Sequence, residues 1–271
     1  MKLFFIILFL STPSSHAYLL NTSTGAAFDD KSVKIYITSN SDCNNAGVSK
    51  DLILERAVSG AQKYWNRVPT STLKLKRGGI YETSDSKFLT EKLCVQATDS
   101  TCLTSNSVPK VNNIVIACNS NTTDNFTSSQ VLALTVPNNL TSSEIKGSVI
   151  LINDSANSTF GNLSASEMES VLAHEIGHAV GLGHSQKSEA LMHYESHEER
   201  RKLAKDDIDG ISYLYPNQFD GCKNVLGLST TNQDKSKPNS FLRSFALGLS
   251  ACFLSIFLWI IITRFAFSAR R

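Results

Sequence analysis

Charged side chains are scarce in this sequence of 271 residues. They make up 18% of it, and 26 lysines and arginines nearly balance 24 aspartates and glutamates. The net charge of +2 provides no basic excess to attract a phosphate backbone, so nucleic acid is not expected as a partner. Histidine and cysteine are also few, with six of each. No cysteine lies in the run that concentrates the histidines, which argues against a zinc site built from thiolates.

Three of the six histidines lie in one run of eleven residues, HEIGHAVGLGH, which starts at His174. His174 and His178 are four residues apart, so on an α-helix both project from one face and can hold one metal ion. Gly181 allows a left-handed turn that can bring His184 back as a third ligand. Three imidazoles with an open fourth position are typical of catalytic zinc, and Glu175 stands where it can take a proton from zinc-bound water. A cluster that merely packs in the core would need a hydrogen-bond partner for every imidazole, which disfavours it.

The spacing HExxHxxGxxH followed by a methionine, here Met192, is the metzincin signature. The stretch 203–215, which begins LAKDDIDGI, is similar to the C-terminal helix of the matrixin (matrix metalloproteinase) family. The short link between His184 and Met192 is also typical of that family. The chain therefore resembles a matrixin over residues 33–215, and the resemblance is most specific from Leu163 onward.

The resemblance implies a role for each residue of the run. His174, His178 and His184 would bind one catalytic zinc ion, and Glu175 would act as general base and then general acid toward a zinc-activated water. Met192 would form the Met-turn, an apolar floor beneath the zinc site, with an ordinary core methionine as the alternative. Matrixins often bind calcium as well, but the sequence does not show a calcium site.

The residues after the methionine depart from the matrixin pattern, which usually has Tyr-Pro there. Met192-His193-Tyr194 instead resembles the turn of the astacins, in which that tyrosine can approach the zinc. Tyr194 is therefore either an auxiliary ligand or transition-state hydrogen-bond donor, or an aromatic wall of the specificity pocket. Only three histidines lie outside the run, one of them in the predicted signal peptide, so the second, structural zinc of animal matrixins is not expected.

Asp206 and Asp207 fall in the first turn of the last predicted helix. Negative charge at that end suits the helix dipole, so capping explains both residues. The resemblance suggests instead that one of them braces the Met-turn. The sequence leaves both interpretations open.

Alternating and apolar segments predict five strands, at 33–38, 73–76, 113–117, 131–136 and 148–152. Gly78-Gly79 is expected to close the second strand. One helix is predicted at 51–66 with Ser49 as its N-cap, a second begins at the capping box Ser164-Ala165-Ser166-Glu167, and a third covers the matrixin-like stretch. The order β-α-β-β-β-β-α-α indicates an α+β fold.

In family terms this is the metzincin-type twisted five-stranded mixed sheet with three helices. The active-site cleft would lie between an upper and a small lower subdomain. The third strand, at 113–117, is largely apolar and is expected to be central. The strand at 131–136 would be the sheet edge above the cleft, where an extended peptide can add as another strand, unless a loop covers that edge.

The ends of the chain are expected to lie outside a catalytic domain at 18–227. Residues 1–17, a lysine followed by an apolar run and a small-residue cleavage site, are typical of a secretory signal peptide. Residues 244–263 are almost wholly apolar and predict a transmembrane helix, followed by a short basic cytoplasmic tail at 264–271. Between them, 228–243 has the polar composition of a flexible stalk. The catalytic domain would then be extracytoplasmic and anchored in a membrane by the C-terminal helix.

Disulfides are expected in such an oxidising location. Cys94 and Cys102 flank a short loop and form a natural pair. Cys43 and Cys118 follow strands that would be neighbours in the family's sheet, so the resemblance pairs them next. Cys222 is left over. Four cysteines allow three connectivities, so the pairing stays open at this point.

These features together predict a zinc-dependent metalloendopeptidase that hydrolyses protein or peptide substrates. One alternative is a catalytically weak, zinc-containing adhesion or binding module at the cell surface. Glu175 argues against it, because a purely structural site does not need that carboxylate. Another alternative is a zinc hydrolase that acts on something other than protein, and only the family's edge strand argues against that one.

Overall fold

The computed structural model describes residues 18–94, 107–194 and 202–217. Outside these ranges lie the predicted signal peptide, the predicted stalk, the predicted membrane helix and the predicted basic tail. Cys102 and Cys222 lie outside them as well. Within them, no helix combines the length and the apolar character needed to cross a membrane.

A five-stranded mixed sheet forms the centre of the described fold. Its strands are β1 (Ser32–Thr38), β2 (Lys74–Tyr81), β3 (Asn113–Asn119), β4 (Ala133–Leu140) and β5 (Ile145–Asn153). They lie in the order β2-β1-β3-β5-β4, and every neighbouring pair is parallel except β4 with β5. The prediction of an α+β fold with a five-stranded mixed sheet is confirmed. The third strand is central and the fourth is an edge, as expected.

Strand β3 shows how the sheet divides the core in two. Its side chains alternate, so that Ile114 and Ile116 pack into the cluster shared with the long helices. Val115 and Ala117 pack into a smaller cluster on the opposite face. A central parallel strand covered on both sides needs a continuous apolar run, which explains the sequence IVIA at this position.

Four α-helices accompany the sheet in the described part of the chain. They are α1 (Lys50–Lys63), α2 (Lys87–Thr90), α3 (Ala165–Ala179) and α4 (Lys205–Leu214). The three predicted helices correspond to α1, α3 and α4, whereas the single turn α2 was not predicted. Ser49 caps α1 by accepting a hydrogen bond from Leu52 N, and Ser164 and Glu167 form a complete capping box on α3. Helix α1 ends earlier than predicted because a 3₁₀ turn, Trp65–Arg67, follows it.

The expectation that Gly78-Gly79 closes the second strand is wrong. Strand β2 continues through both glycines to Tyr81, and its register against β1 shifts at this point, with Ile35 opposite Arg77 and Tyr36 opposite Gly79. Gly79 has a φ of +98°, which suits a bulge. A Cβ at Gly78 would lie 2.7 Å from the ring of Tyr36, so the glycine leaves room for an aromatic ring of the neighbouring strand.

Strand β4 also extends further than predicted and passes through Pro137. A proline lacks the N–H that a central strand would need, but on an edge strand it is tolerated. The register of β4 against β5 shifts between Val136 and Asn139, so the irregularity lies just beyond the regular stretch of the edge.

Cys43 and Cys118 form a disulfide whose Cα atoms are 5.2 Å apart. It joins the loop after β1 to the end of β3, two strands that are hydrogen-bonded neighbours. Cys94 is also disulfide-bonded, while Cys102, its proposed partner, lies outside the described residues.

Candidate metal centre

Helix α3 carries the first two histidines of the run on one face. The ring centroids of His174 and His178 are 4.7 Å apart. The ring centroid of His184 lies 5.4 Å from that of His174 and 4.6 Å from that of His178. One nitrogen from each ring lies within 4.8 Å of the other two, close enough for all three to bind one ion. The structure therefore brings the three predicted ligands together.

Gly181 turns the chain from the end of α3 back toward the histidine face. Its φ of +109° lies in the region that favours glycine, as the motif predicted. The N–H of Leu182 donates to Gly177 O at 2.9 Å and holds the turn. A Cβ at Gly181 would lie only 2.6 Å from Ala26 O, so both the backbone angle and the available space require glycine here. This turn is what places His184 beside the helix.

Backbone carbonyl groups orient two of the imidazoles. His174 Nδ1 lies 2.7 Å from Leu191 O, and His178 Nδ1 lies 2.8 Å from Leu182 O. A carbonyl oxygen only accepts, so Nδ1 carries the proton in both rings and the Nε2 lone pair is left for a metal. His178 Nε2 is 3.1 Å from His184 Nε2, which shows that the free nitrogens converge.

The charge state of the histidines also suits a metal site. Burial, followed by the proximity of His174, holds the pKa of His178 well below its usual range and lowers the pKa of His184 as well. Neutral imidazole is the form that binds metal. Three convergent imidazoles, with no fourth ligand in the cluster among the residues that the structure describes, fit one zinc ion with an open coordination position.

Glu175 lies beside this cluster and is only 8% exposed. Its Oε2 accepts a hydrogen bond of 2.6 Å from Thr135 Oγ1 on the edge strand. Burial raises the pKa of the Glu175 carboxyl, while His174 and the Thr135 hydroxyl act in the opposite direction. Thr135 was not among the predicted site residues.

A cavity of about 890 Å³ opens between the edge strand and α3. Its lining combines residues 131–135 of the edge segment, the three histidines and Glu175 with Leu191, His193 and Tyr194. The candidate metal centre and the carboxylate therefore face the same open space. The cavity lies beside the edge strand, where the active-site cleft was expected.

Met192 lies against the inner side of α3 and is 1% exposed. Its carbonyl oxygen accepts a hydrogen bond of 2.7 Å from Ser185 N. A Cβ at Gly177, within the histidine run, would overlap with Met192 Sδ and would lie 2.9 Å from the ring of Trp65. The glycine thus lets the methionine and the tryptophan approach the helix that carries the ligands. Sequence reasoning had treated Gly177 as an unspecified position of the motif.

The two aspartates in the first turn of α4, Asp206 and Asp207, make different contacts. The Asp207 carboxylate accepts hydrogen bonds from Leu191 N at 2.7 Å, Met192 N at 3.0 Å and Ala204 N at 2.9 Å. It therefore both caps α4 and contacts the methionine turn. Asp206 Oδ2 accepts a hydrogen bond from Ser185 Oγ.

Tyr194 lies at the rim of the cavity, where it is 55% exposed. Its ring centroid is 6.5 Å from that of His184 and 4.7 Å from that of His193. The ring therefore stands next to the third histidine but largely in solvent.

Part of the chain that includes this site is similar in sequence to known proteins. Residues 100–216 match the family model described as Matrixin. Metalloendoproteinase 1 of Glycine max is 54% identical over 54 residues, which cover 19% of this chain and 18% of that protein. Matrix metalloproteinase-19 of Homo sapiens is 46% identical over 59 residues, or 21% of this chain and 12% of that protein.

A longer match is found with Metalloendoproteinase 1-MMP of Arabidopsis thaliana. It is 40% identical over 88 residues, which cover 31% of this chain and 23% of that protein. The chain spans less than a quarter of the length of these three curated relatives. The stretch that matches the Matrixin model includes the histidine run, while none of these comparisons shows the astacin-like feature of the turn.

Proposed function

We propose that this protein is a zinc-dependent metalloendopeptidase that hydrolyses peptide bonds in protein or peptide substrates. One observation carries the proposal: a buried carboxylate, Glu175, faces the same cavity as three convergent imidazoles. A purely structural zinc site is usually closed by four protein ligands and needs no adjacent carboxylate. The match to the matrixin model and the metalloendoproteinase relatives support the same assignment.

His174, His178 and His184 would hold the zinc ion through Nε2. Bound there, zinc would supply a Lewis acid that polarises the scissile carbonyl and makes water acidic enough to lose a proton near neutral pH. Glu175 would accept that proton as general base and then deliver it to the leaving amine nitrogen as general acid. Its burial beside the cavity keeps this proton away from bulk water between the two transfers.

The edge strand β4 is the proposed docking site for the substrate backbone. Its residues 133–135 line the cavity together with the two residues before the strand, and within the described part of the chain it pairs on one side only, with β5. An extended peptide can therefore add to its other side by hydrogen bonds between main chains, which would place one peptide bond beside the metal centre. Such pairing favours peptides over other classes of hydrolysable substrate.

For Tyr194 we favour an aromatic wall of the substrate pocket over a ligand role. Its ring is more than half exposed and stands beside His184 at the cavity rim. A ring in this position can pack against a substrate side chain without displacing any histidine. The alternative role, a hydrogen-bond donor to the transition state as in an astacin-like turn, predicts a loss of kcat in Tyr194→Phe, whereas a wall predicts little change.

The ends of the chain complete the proposal. Residues 1–17 would direct secretion, and residues 244–263 would anchor the protein with its catalytic domain outside the membrane, on the basis of their hydropathy alone. Extraction of membranes at alkaline pH from cells that express the full chain tests the anchor. Release of the protein into the soluble fraction would contradict it.

The proposed activity is tested with a library of fluorogenic peptides and the zinc-loaded protein. We expect cleavage that a chelator abolishes and added zinc restores. Glu175→Ala should bind zinc with all three histidines yet lose most hydrolysis, since the proton acceptor is gone. Cleavage by this variant at nearly the wild-type rate would contradict the role of Glu175, and a wild-type protein that cleaves no peptide would favour a binding module.

A further inference from the structure

Thr135 occupies a position on β4 from which its side chain faces α3. Side chains alternate along a strand, so Ala133 and Thr135 share one face, while Leu134 and Val136 pack into the cluster on the other side of the sheet. Ala133 belongs to the apolar core that the long helices cover. Thr135 therefore brings a hydroxyl group to a face that is otherwise apolar at this end of the strand.

The hydroxyl has one partner that matters for the chemistry. Thr135 Oγ1 donates to Glu175 Oε2 at 2.6 Å, a distance typical of hydrogen bonds to a carboxylate. Among the described residues, no other side chain donates a hydrogen bond to the Glu175 carboxylate. The bond joins the edge strand to α3 across 40 residues of sequence.

We propose that Thr135 is a positioning residue for Glu175: it anchors Oε2 so that the carboxylate presents Oε1 to the water and to the leaving group in the cavity. This inference rests on the proposed function, because it assigns Glu175 the role of base. A glutamate side chain has three rotatable bonds, and an unanchored carboxylate would sample orientations that do not reach the water. Reactions of this type lose about a hundredfold in rate when a reacting group is misplaced by about 1 Å.

Thr135 lies on the strand that is proposed to bind the substrate backbone, so substrate binding should affect its position. The same strand that carries the hydroxyl presents its free edge to an extended peptide. A peptide that pairs with β4 restrains the strand and therefore the hydroxyl. The base would then be most firmly oriented when substrate is bound, and the effect should appear in kcat more than in KM.

The test compares Thr135→Val with Thr135→Ser in the full chain loaded with zinc. Valine keeps the shape of threonine and its preference for strands but removes the donor, whereas serine keeps the donor. We expect Thr135→Val to lower kcat about tenfold or more with KM within about twofold of wild type, and Thr135→Ser to recover most of kcat. Equal kcat in Thr135→Val and wild type, or equal losses in both variants, would overturn the proposal.

Thr38→Val is the matched control. It removes the hydroxyl of another threonine on a strand of the same sheet, one that is bonded to Ser41 rather than to the site. We expect this variant to lower the thermal midpoint without changing kcat. A zinc affinity of Thr135→Val equal to wild type, measured by competition with a chelator, would show that the metal site is intact. A weaker affinity would assign Thr135 to the metal site and overturn its role at Glu175.

A crystal structure of Thr135→Val separates this inference from the proposed function. We expect Glu175 to occupy more than one rotamer in the variant and a single rotamer in the wild type. A single, unchanged rotamer would refute the positioning role whether or not the protein cleaves peptides. If the wild type cleaves no peptide but the rotamer spreads, the positioning role stands and the proposed activity fails.

Discussion

The carboxylate of Asp207 accepts the backbone N–H of Met192 at 3.0 Å and thereby ties the last helix to the turn beneath the candidate metal centre. The same carboxylate binds the N–H of Leu191, whose carbonyl oxygen lies 2.7 Å from His174 Nδ1. A continuous chain of hydrogen bonds thus runs from α4 to His174, one of the three proposed metal ligands. The ligand orientation therefore depends on a residue that does not itself face the cavity.

Asp207→Asn should destabilise both the fold and the metal site. Asparagine keeps one acceptor oxygen but places an amide donor against buried backbone N–H groups. We expect the free energy of unfolding without metal to fall by about 2 kcal/mol. Zinc affinity should fall about tenfold or more, because a partner that orients a ligand is disturbed. Urea unfolding and competition with a chelator measure the two effects.

The control for this prediction is Asp209→Asn on the same helix. Asp209 forms an ion pair with the exposed Lys205, one turn away, and such surface pairs contribute little. Its replacement should leave zinc affinity unchanged and stability within about 0.5 kcal/mol of wild type. Equal effects of the two substitutions would contradict a specific role for Asp207.

Gly181→Ala should weaken zinc binding by moving His184. An alanine here meets two obstacles: a φ of +109° and a carbonyl oxygen, that of Ala26, only 2.6 Å from the new Cβ. The backbone angle alone costs about 1–2 kcal/mol, and the contact forces the turn to shift. We expect zinc affinity to fall at least about tenfold, because His184 is carried by this turn.

Gly79→Ala separates backbone strain from this displacement. Gly79 has a similar φ of +98°, but a Cβ there meets nothing within 4 Å, and it lies on β2 away from the histidines. This variant should lose stability and keep the zinc affinity of wild type. A comparable loss of zinc affinity in both variants would mean that general destabilisation, rather than the turn, explains the result.

Local sequence rules predicted the parts of the site that lie close together in the chain. The four-residue spacing of His174 and His178, the capping box of α3 and the glycine turn at Gly181 all depend on contacts within about twenty residues, and the structure contains each of them. The positions of two strands in the sheet were also predicted, because a continuous apolar run predicts a central position for β3 and the family resemblance predicts an edge position for β4.

Contacts between distant segments could not be predicted in this way. Thr135 reaches Glu175 only because β4 pairs with β5 and α3 packs on that face, and no local pattern records this. Local rules predict that Gly78-Gly79 ends the strand. In the structure the strand continues through a bulge there, and Gly78 leaves room for the ring of Tyr36 on the neighbouring strand. Local rules predict Asp207 as a helix cap, whereas its bonds to the methionine turn were suggested only by the family resemblance, which did not say which of the two aspartates makes them.

Removal of the Cys43–Cys118 disulfide should lower stability without disturbing the site. The bond spans a sequence separation of 75 residues, and closure of a loop of this size stabilises a fold by about 4 kcal/mol through the unfolded state. We expect the double variant Cys43→Ser, Cys118→Ser to unfold at lower urea but, while folded, to bind zinc as wild type does. Equal urea midpoints for oxidised wild type and the double variant would contradict the prediction.

Tyr215→Phe should reveal a buried link between both ends of the described fold. The Tyr215 hydroxyl donates to Val180 O at 2.8 Å and accepts a hydrogen bond of 3.0 Å from Phe28 N, and the residue is almost wholly buried. Phenylalanine leaves both backbone groups without this partner, so the free energy of unfolding should fall by about 1–3 kcal/mol. Tyr213→Phe, which changes an exposed tyrosine two residues earlier, at the end of α4, should leave the free energy of unfolding unchanged.

The difference in the free energy of unfolding between wild type and Tyr215→Phe should depend on pH, which provides an independent check. Burial raises the pKa of Tyr215 above the ordinary tyrosine value of 10.0, so the folded state binds the phenolic proton more tightly than the unfolded state does. The stability contributed by the hydroxyl is therefore complete below pH 10 and declines as the pH rises further toward the folded-state pKa. Urea unfolding should show the gap between wild type and Tyr215→Phe narrowing above pH 10, and a gap that widens there would show that the sign is wrong.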